Sequence, residues 1–277
     1  MKLEQLIEGI GLQKDVAHQV LERAKELDIE KFRPLLEDID NRFFRQTEET
    51  RKRIKEMLEP DPDNLRILAL QLMWAALKYK KFKELNISDE IYFETFACFT
   101  RFLNERYEMS SKYYFDRADW TYHQIGFSLF RIGCLEYEKI LVDGEHLIAI
   151  HIPSDAVMTK ENLESSLKEA RKFFDERFPL YKGAPIRCIT WLLSPELKKL
   201  LKEGSKILQF ADCFDITEVY EYPNMDWYKW VFLVDEKKFS EDLPEKTSLQ
   251  RALKNFIREG GEIHAACGYI KKELLEN

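Results

Sequence analysis

No stretch of this 277-residue sequence is rich in glycine or serine, none repeats, and none gathers basic residues into a block. Without a flexible linker, two domains in one chain are expected to pack directly on each other. The missing basic block excludes an ordinary nucleic-acid binder, whose affinity rests on Lys and Arg contacts to phosphate. Here 43 Lys and Arg stand against 50 Asp and Glu, a net charge of −7, which suits solubility and favours an amine-bearing partner over an anionic one. Long apolar runs are also missing. Leu65 to Leu77, the most apolar segment, is interrupted by Arg66 and Gln71. It is too short and too polar to span a bilayer, so it reads as a buried helix and no membrane partner is expected. Met1 to Leu6 lack the apolar core of a signal peptide. The five cysteines, Cys98, Cys134, Cys188, Cys213 and Cys267, are odd in number, widely spaced and free of any Cys-x-x-Cys. That pattern points to free thiols in a reducing compartment, the cytoplasm, and argues against a zinc site. There is no Walker loop, dinucleotide fingerprint, Gly-x-Ser-x-Gly elbow or His-Glu-x-x-His.

What is present is a globular balance, 45% hydrophobic and 34% charged, that changes character along the chain. The first hundred or so residues carry helical periodicity alone. Leu3, Leu6, Ile7 and Ile10 share one face; Val16, Val20, Ala24 and Leu27 form another stripe, and Tyr92, Phe96, Phe99 and Leu103 a third. A charged stretch from Asp40 to Glu59 ends at Pro60-Asp61-Pro62-Asp63, where Asp63 or Asn64 can cap the helix that follows. Five or six helices are expected, with no strand before Tyr107. Beyond Tyr113 strand signals begin: Phe127 to Ile140, Leu147 to Ile152, Ile186 to Leu193, Ile216 to Tyr222, Trp227 to Val234 and Glu262 to Ile270. Amphipathic helices separate them. One is capped by Thr159 and carries Leu163, Leu167, Ala170 and Phe174; a short one is capped by Ser194 with Pro195 at its first position, and the last, with Leu249, Leu253, Phe256 and Ile257, closes at Gly260-Gly261. Strands apolar on both faces need helices on both sides of a mixed sheet. The fold class is therefore α+β: an all-helical domain over residues 1–112 packed on a mixed-sheet domain over residues 113–277.

Four segments carry a resemblance. They are Tyr113-Tyr114-Phe115-Asp116-Arg117-Ala118-Asp119-Trp120, Leu129 to Glu138, His151-Ile152-Pro153-Ser154-Asp155-Ala156, and Cys188-Ile189-Thr190-Trp191-Leu192-Leu193-Ser194-Pro195. In this order the chain resembles, over nearly its whole length, bacterial acyltransferase-domain proteins. These join a helical N-acyltransferase N-terminal domain to a C-terminal domain like the GCN5-related N-acetyltransferases. The resemblance implies acyl-CoA as co-substrate, no metal, and a small amine or peptide as acceptor. In that fold acyl-CoA lies where two adjacent parallel strands splay apart, with its pyrophosphate on amides at the start of the following helix. Carried onto this chain, the first strand is Leu147–Pro153 and the second Ile186–Leu193. The CoA-binding residues are then Ile152, Ser154, Val157, Thr159, Lys160 and Glu161. The family's Arg/Gln-x-x-Gly-x-Gly turn is replaced here by Ser154-Asp155-Ala156-Val157-Met158-Thr159-Lys160, which has no glycine and an aspartate that repels phosphate.

Acyl transfer to an amine needs a general base, commonly Glu or His. Glu136 and Glu138, two apart on one strand, share a face with Cys134. Glu136, nearer the apolar segment, is the better base if that face lines a cleft; otherwise the pair faces solvent at a sheet end. His151, inside an apolar strand, is either catalytic or a hydrogen-bonded core histidine. Asp116, Arg117, Asp119 and His123 read as an Asp–Arg ion pair joining the two halves. Tyr220, Tyr222, Trp227, Tyr228 and Trp230 lie on an expected hairpin, as sheet packing or as a pocket wall. Two functions remain: an N-acyltransferase, or a catalytically silent module that binds a small ligand or a protein partner.

Overall fold

A computed structural model describes residues 1–223, 227–234 and 238–276. Contacts between residues divide the chain into two compact units. The first comprises Met1–Ile132 with Glu138–Asp143, the second Gly133–Tyr137 with Gly144–Asn277.

The first unit begins with seven helices: α1 (Leu3–Gly9), α2 (Lys14–Glu26), α3 (Ile29–Asn41), α4 (Glu48–Leu58), α5 (Leu65–Glu84), α6 (Asp89–Phe96) and α7 (Cys98–Ser110). Among the described residues no strand precedes Leu129, as the periodicity predicts. The Leu65 run is the buried helix expected of it: α5 buries side chains on all faces, Gln71 and Lys78 included. Burial demands partners for those polar groups. The Gln71 amide donates to the Ala118 carbonyl at 2.8 Å and accepts from the Thr121 hydroxyl at 2.6 Å. Lys78 pairs with Asp40 of α3, which also accepts from the Trp74 indole at 3.2 Å. Desolvation still draws the Lys78 pKa below the ordinary lysine value, the Asp40 charge working against it. The start of α5 is held differently from the expectation on Asp63 or Asn64. Asn64 sits at the N-cap with φ 56° and makes no side-chain cap. Asp61 instead accepts from the amides of Arg66 and Ile67, both at 2.9 Å, while Asp63 reaches only Leu65. Phe82 of α5 stands amid rings, with Tyr92 at 4.9 Å and Phe127 at 4.8 Å between centroids, both edge-on.

Helix α8 (Tyr122–Ile125) leads into the strands β1 (Leu129–Ile132) and β2 (Leu135–Val142). The expected strand from Phe127 to Ile140 is thus two strands separated by Gly133-Cys134. Strand β3 (Glu145–His151) is followed by α9 (Lys160–Arg177), β4 (Ile186–Thr190), α10 (Leu197–Leu200), α11 (Lys206–Ala211), β5 (Phe214–Pro223), α12 (Trp227–Phe232), α13 (Ser248–Arg258) and β6 (His264–Ile270). The six strands form one mixed sheet in the order β1-β2-β3-β4-β6-β5. Strand β3 runs parallel to β4, β4 antiparallel to β6, and β5, on the edge, antiparallel to β6.

Three sequence expectations are corrected. Trp227 to Val234 is not a strand: residues 227–232 are helical, because Trp227, Tyr228, Val231 and Phe232 recur at helical spacing and enter a core with Leu197, Leu243, Leu253 and Ile263. Trp227, Tyr228 and Trp230 therefore do not share a hairpin with Tyr220, and the Tyr222 side chain lies outside the described residues. Strand β4 stops at Thr190, since Trp191–Leu193 turn into a 3₁₀ helix whose first amide groups Thr190 caps. Ser194 does not cap α10; its hydroxyl donates to the Glu196 carboxylate.

The core around α12 and α13 is fastened by a buried amine. Lys254 of α13 donates to the carbonyls of Glu241 and Leu243, at 2.5 and 2.9 Å, and to the Glu245 carboxylate at 2.7 Å. Replacing it takes the donor from the buried Leu243 carbonyl and from the carbonyl of the exposed Glu241. Lys254→Met should therefore lower the unfolding free energy by about 1–3 kcal/mol, read from denaturant midpoints. An unchanged midpoint would show that water takes over those carbonyls at no cost.

Candidate functional site

In the second unit the feature with chemical consequence is where β3 and β4 stop pairing. Their parallel register covers Ile148↔Ile186 and Ala149↔Arg187. Beyond Arg187, β4 goes on pairing with β6 through Cys188, Ile189 and Thr190, while β3 runs on to His151, past its last register position with β4. The two parallel strands thus part at their carboxyl ends, the side of an open α/β sheet on which ligands bind. At the fork the Cys188 thiol donates to the Ile150 carbonyl at 3.4 Å. Burial pushes that thiol well above the ordinary cysteine range, so it serves as a hydrogen-bond donor and not as a nucleophile. All five cysteines are buried and free.

The chain leaving β3 builds the rest. Ile152 is half-buried and Pro153 buried; Ser154 and Asp155 are exposed in a turn, and Val157 is exposed. Thr159 then caps α9 as its sequence position predicts, its hydroxyl accepting from the Asn162 amide at 3.3 Å. Asn162 braces the same loop by donating its side-chain amide to the Val157 carbonyl at 2.9 Å. The amides of Lys160 and Glu161, in the first turn of α9, take no hydrogen bond among the described residues and point to the side from which the loop arrives. Leu163, Leu167, Ala170 and Phe174 bury the opposite face of α9. The Lys160 side chain is exposed, 3.9 Å from Glu164. The six residues expected to hold CoA thus lie on one continuous segment, from the open end of β3 to the first turn of α9.

Of the two candidate bases, His151 is the last residue of β3 and half-buried. Glu136 lies near the start of β2 and is 3% exposed. Glu138 is 6% exposed, so the reading of this pair as solvent-facing is wrong: the face that period-2 alternation gives them is an inward one. Their roles differ. Glu138 is committed to His123, its carboxylate 2.7 Å from Nδ1, and His123 is stacked on Phe44 with centroids 3.7 Å apart. The remaining polar residues form ion pairs inside the first unit. Asp119 pairs with Arg51 of α4 at 2.5 Å, and Arg117 lies 3.6 Å from both Asp116 and Glu105. Sequence reading missed the hydrogen bond at 2.8 Å between the buried hydroxyls of Tyr137 and Ser166, which ties β2 to α9. Ser166 on the apolar face of the helix was its one visible sign. Among the described residues no group of three or more His, Cys, Asp and Glu is placed to hold a metal ion, and no helix is long and apolar enough to cross a membrane.

A parallel pair that parts over a helix N-terminus is the arrangement of the acetyltransferase-like folds. The comparisons with known proteins agree. Residues 129–270 match the model of the GNAT-like C-terminal domain, and residues 1–126 match that of the N-acyltransferase N-terminal domain. The chain belongs to this two-domain acyltransferase family. Solved structures share its fold at low identity. An acyltransferase mutant in complex with octanoyl-CoA is 21% identical, with 96% of this chain and 86% of that one covered and a TM-score of 0.76. An acyltransferase in complex with decanoyl-CoA and teicoplanin is 20% identical, with 98% and 99% covered and a TM-score of 0.70. No curated protein matches the chain.

Because the Thr159 hydroxyl fixes where the free amides of α9 lie, Thr159→Ala should cost about 1 kcal/mol of stability and Thr159→Ser almost nothing. Thermal unfolding of the two variants checks this; equal losses would mean that the methyl group, not the hydroxyl, matters.

Proposed function

We propose that this protein transfers an acyl group from acyl-CoA to the amine of a small molecule or peptide. The observation that carries the reading is the parting of β3 from β4 directly ahead of the capped start of α9. The backbone at Ile152, past the last register position of β3 with β4, offers hydrogen bonds to the amides of a pantetheine arm. The amides of Lys160 and Glu161, with the positive end of the α9 dipole, favour the pyrophosphate. Ile152, Ser154, Val157 and Thr159 line the path between. Neighbouring structures of the same fold hold octanoyl-CoA and decanoyl-CoA, one of them together with a glycopeptide, teicoplanin. They support a CoA thioester as donor and a small acceptor.

For the base we put Glu136 first and His151 second. Strands β2 and β3 are neighbours in the sheet, joined only by Asp143-Gly144, whose φ values of 51° and 85° are those of a tight hairpin turn. Glu136 near the start of β2 and His151 at the end of β3 both belong to the second unit, on these neighbouring strands. A carboxylate and an imidazole across one strand pair form a unit able to take the proton an attacking amine must lose.

The glycine-free loop from Ser154 to Lys160 supports the second reading, a silent module that binds a small ligand or protein partner. Each Cβ there keeps an anion farther from the amides, and Asp155 repels it. On the first reading, affinity for CoA is lower than a glycine turn would give. Lys160, an exposed charge, then adds only a few-fold to it.

Calorimetric titration with octanoyl-CoA, then release of CoA thiol in the presence of amino sugars and small peptides, separates the readings. Glu136→Gln should bind octanoyl-CoA like the parent and lose on the order of a hundredfold in turnover. Equal turnover removes Glu136 from the mechanism and makes His151→Ala the next variant. A flat titration at millimolar ligand favours the silent module.

A further inference from the structure

The carboxyl end of the parallel strands carries a second set of polar side chains, apart from Glu136 and His151. Strand β6 runs antiparallel to β4 with Thr190 opposite Ala266, so His264, where β6 begins, lies past the end of β4, at the end of the sheet where β3 and β4 part. The chain leaving β4 brings Ser194 and Glu196 to meet it. Glu196 uses both carboxylate oxygens: Oε2 accepts from the Ser194 hydroxyl, and Oε1 lies 3.3 Å from Nδ1 of His264. All three residues belong to the second unit.

Their exposure differs. Ser194 is buried, while the side chains of His264 and Glu196 keep 22% and 24% of their surface open. Burial works to raise the Glu196 pKa, but hydrogen bonds from Ser194, from its own amide and from His264 outweigh it and hold the carboxyl below the usual carboxylate range. An ionised carboxylate only accepts, so Nδ1 is the donor and carries the proton of the neutral ring, which leaves the lone pair on Nε2. On that side Glu262 stands 3.9 Å away, outside hydrogen-bond reach. On β5, Pro223 is opposite His264, and Glu221 just before it is exposed. Among the described residues the ring is thus anchored through one nitrogen only.

We propose that His264, oriented by Glu196, takes the first proton from the acceptor amine. The inference rests on the acyl-transfer reading and adds a step to it. At neutral pH an alkyl amine arrives as ammonium and has no lone pair with which to attack. Nε2 accepts one ammonium proton, and the electrons of that N–H bond stay on the nitrogen. The amine attacks the thioester carbonyl carbon, the C–S bond breaks, and the second proton on nitrogen passes through the base proposed above to the CoA sulfur. An amide and a thiol remain, and the imidazolium returns its proton to solvent. Glu196, Glu221 and Glu262 favour a cation at this end of β6 and stabilise the imidazolium. Strand spacing sets His264 on the order of 12 Å from the backbone of Ile152, so the ammonium is met on its way to the thioester. In this role His264 is a catalytic residue, and Glu196, acting through it, a positioning residue.

Long-range proton–nitrogen NMR of the parent protein locates the imidazole proton without any substrate, with the His264 signal assigned by its loss in His264→Gln. The proton is expected on Nδ1; finding it on Nε2 overturns the proposal. The pH dependence of kcat/KM for the amine is then followed by CoA release at saturating octanoyl-CoA, with whichever amino sugar or lysine peptide turns over fastest. His264→Gln should bind octanoyl-CoA like the parent, lose about ten- to a hundredfold in kcat/KM for the amine, and lose the acid limb of the parent's profile. Glu196→Gln should lose about tenfold and Glu196→Asp less. Added imidazole should raise turnover several-fold in His264→Gly and leave the parent unchanged, which a merely structural histidine does not predict. An unchanged rate and profile in His264→Gln, or a loss that imidazole does not restore while the acid limb persists, overturns the proposal and leaves the acyl-transfer reading standing. A parent that binds no octanoyl-CoA, or releases no CoA with any amine, sinks that reading and this step with it.

Discussion

The second unit depends on how short one strand pairing is. Parallel β3 and β4 are joined through two register positions and then released, while β4 remains bound to β6. A longer ladder would take the backbone of Ile152 into the sheet, and the loop after it would have no open edge to serve. The release is set by ordinary local chemistry. Pro153 cannot extend a ladder, Trp191–Leu193 turn β4 into a 3₁₀ helix, and the buried Cys188 thiol occupies the Ile150 carbonyl at the fork. The Thr159 cap and the apolar face of α9 then place two free amides beside the opening. None of these elements is unusual alone; they follow one another along a single segment from β3 to α9.

Much of this was legible in the sequence because it follows from periodicity and caps. The Leu65 run announced α5, the apolar runs gave β3 and β4, and Thr159 ahead of an amphipathic stretch gave the start of α9. The failures share a cause. Trp227 to Val234 is rich in β-formers, yet its burial comes from a core shared with Leu253 and Ile263 far along the chain, and packing overrides propensity. Asp61, Asp63 and Asn64 all carry capping side chains, and only the tertiary path of the chain into α5 selects Asp61. Alternation put Glu136 and Glu138 on one face but could not tell that it was buried.

Membership of the acyltransferase family and details of the site bear on different questions. The family fixes the scaffold, a helical N-acyltransferase N-terminal domain followed by a GNAT-like C-terminal domain. The loop Ser154 to Lys160 bears on affinity, and there this chain departs from the glycine turn of the fold. A site that relies on the helix terminus and an open strand, without a wrapping loop, draws more of its binding from the pantetheine and acyl portions than from the phosphates. A long acyl chain compensates for weak phosphate contacts, since each buried methylene adds about 0.8 kcal/mol. Longer acyl donors are therefore the natural ligands to test.

The central claim, that the opened end of β3 and the first turn of α9 hold acyl-CoA, is tested most directly by amide hydrogen exchange with and without decanoyl-CoA. The account expects slowed exchange confined to two stretches, one at Ile152 and one over Val157–Glu161, with Ile186–Arg187, already paired, unchanged. Slowed exchange elsewhere, with these two stretches unaltered under saturating ligand, would contradict it.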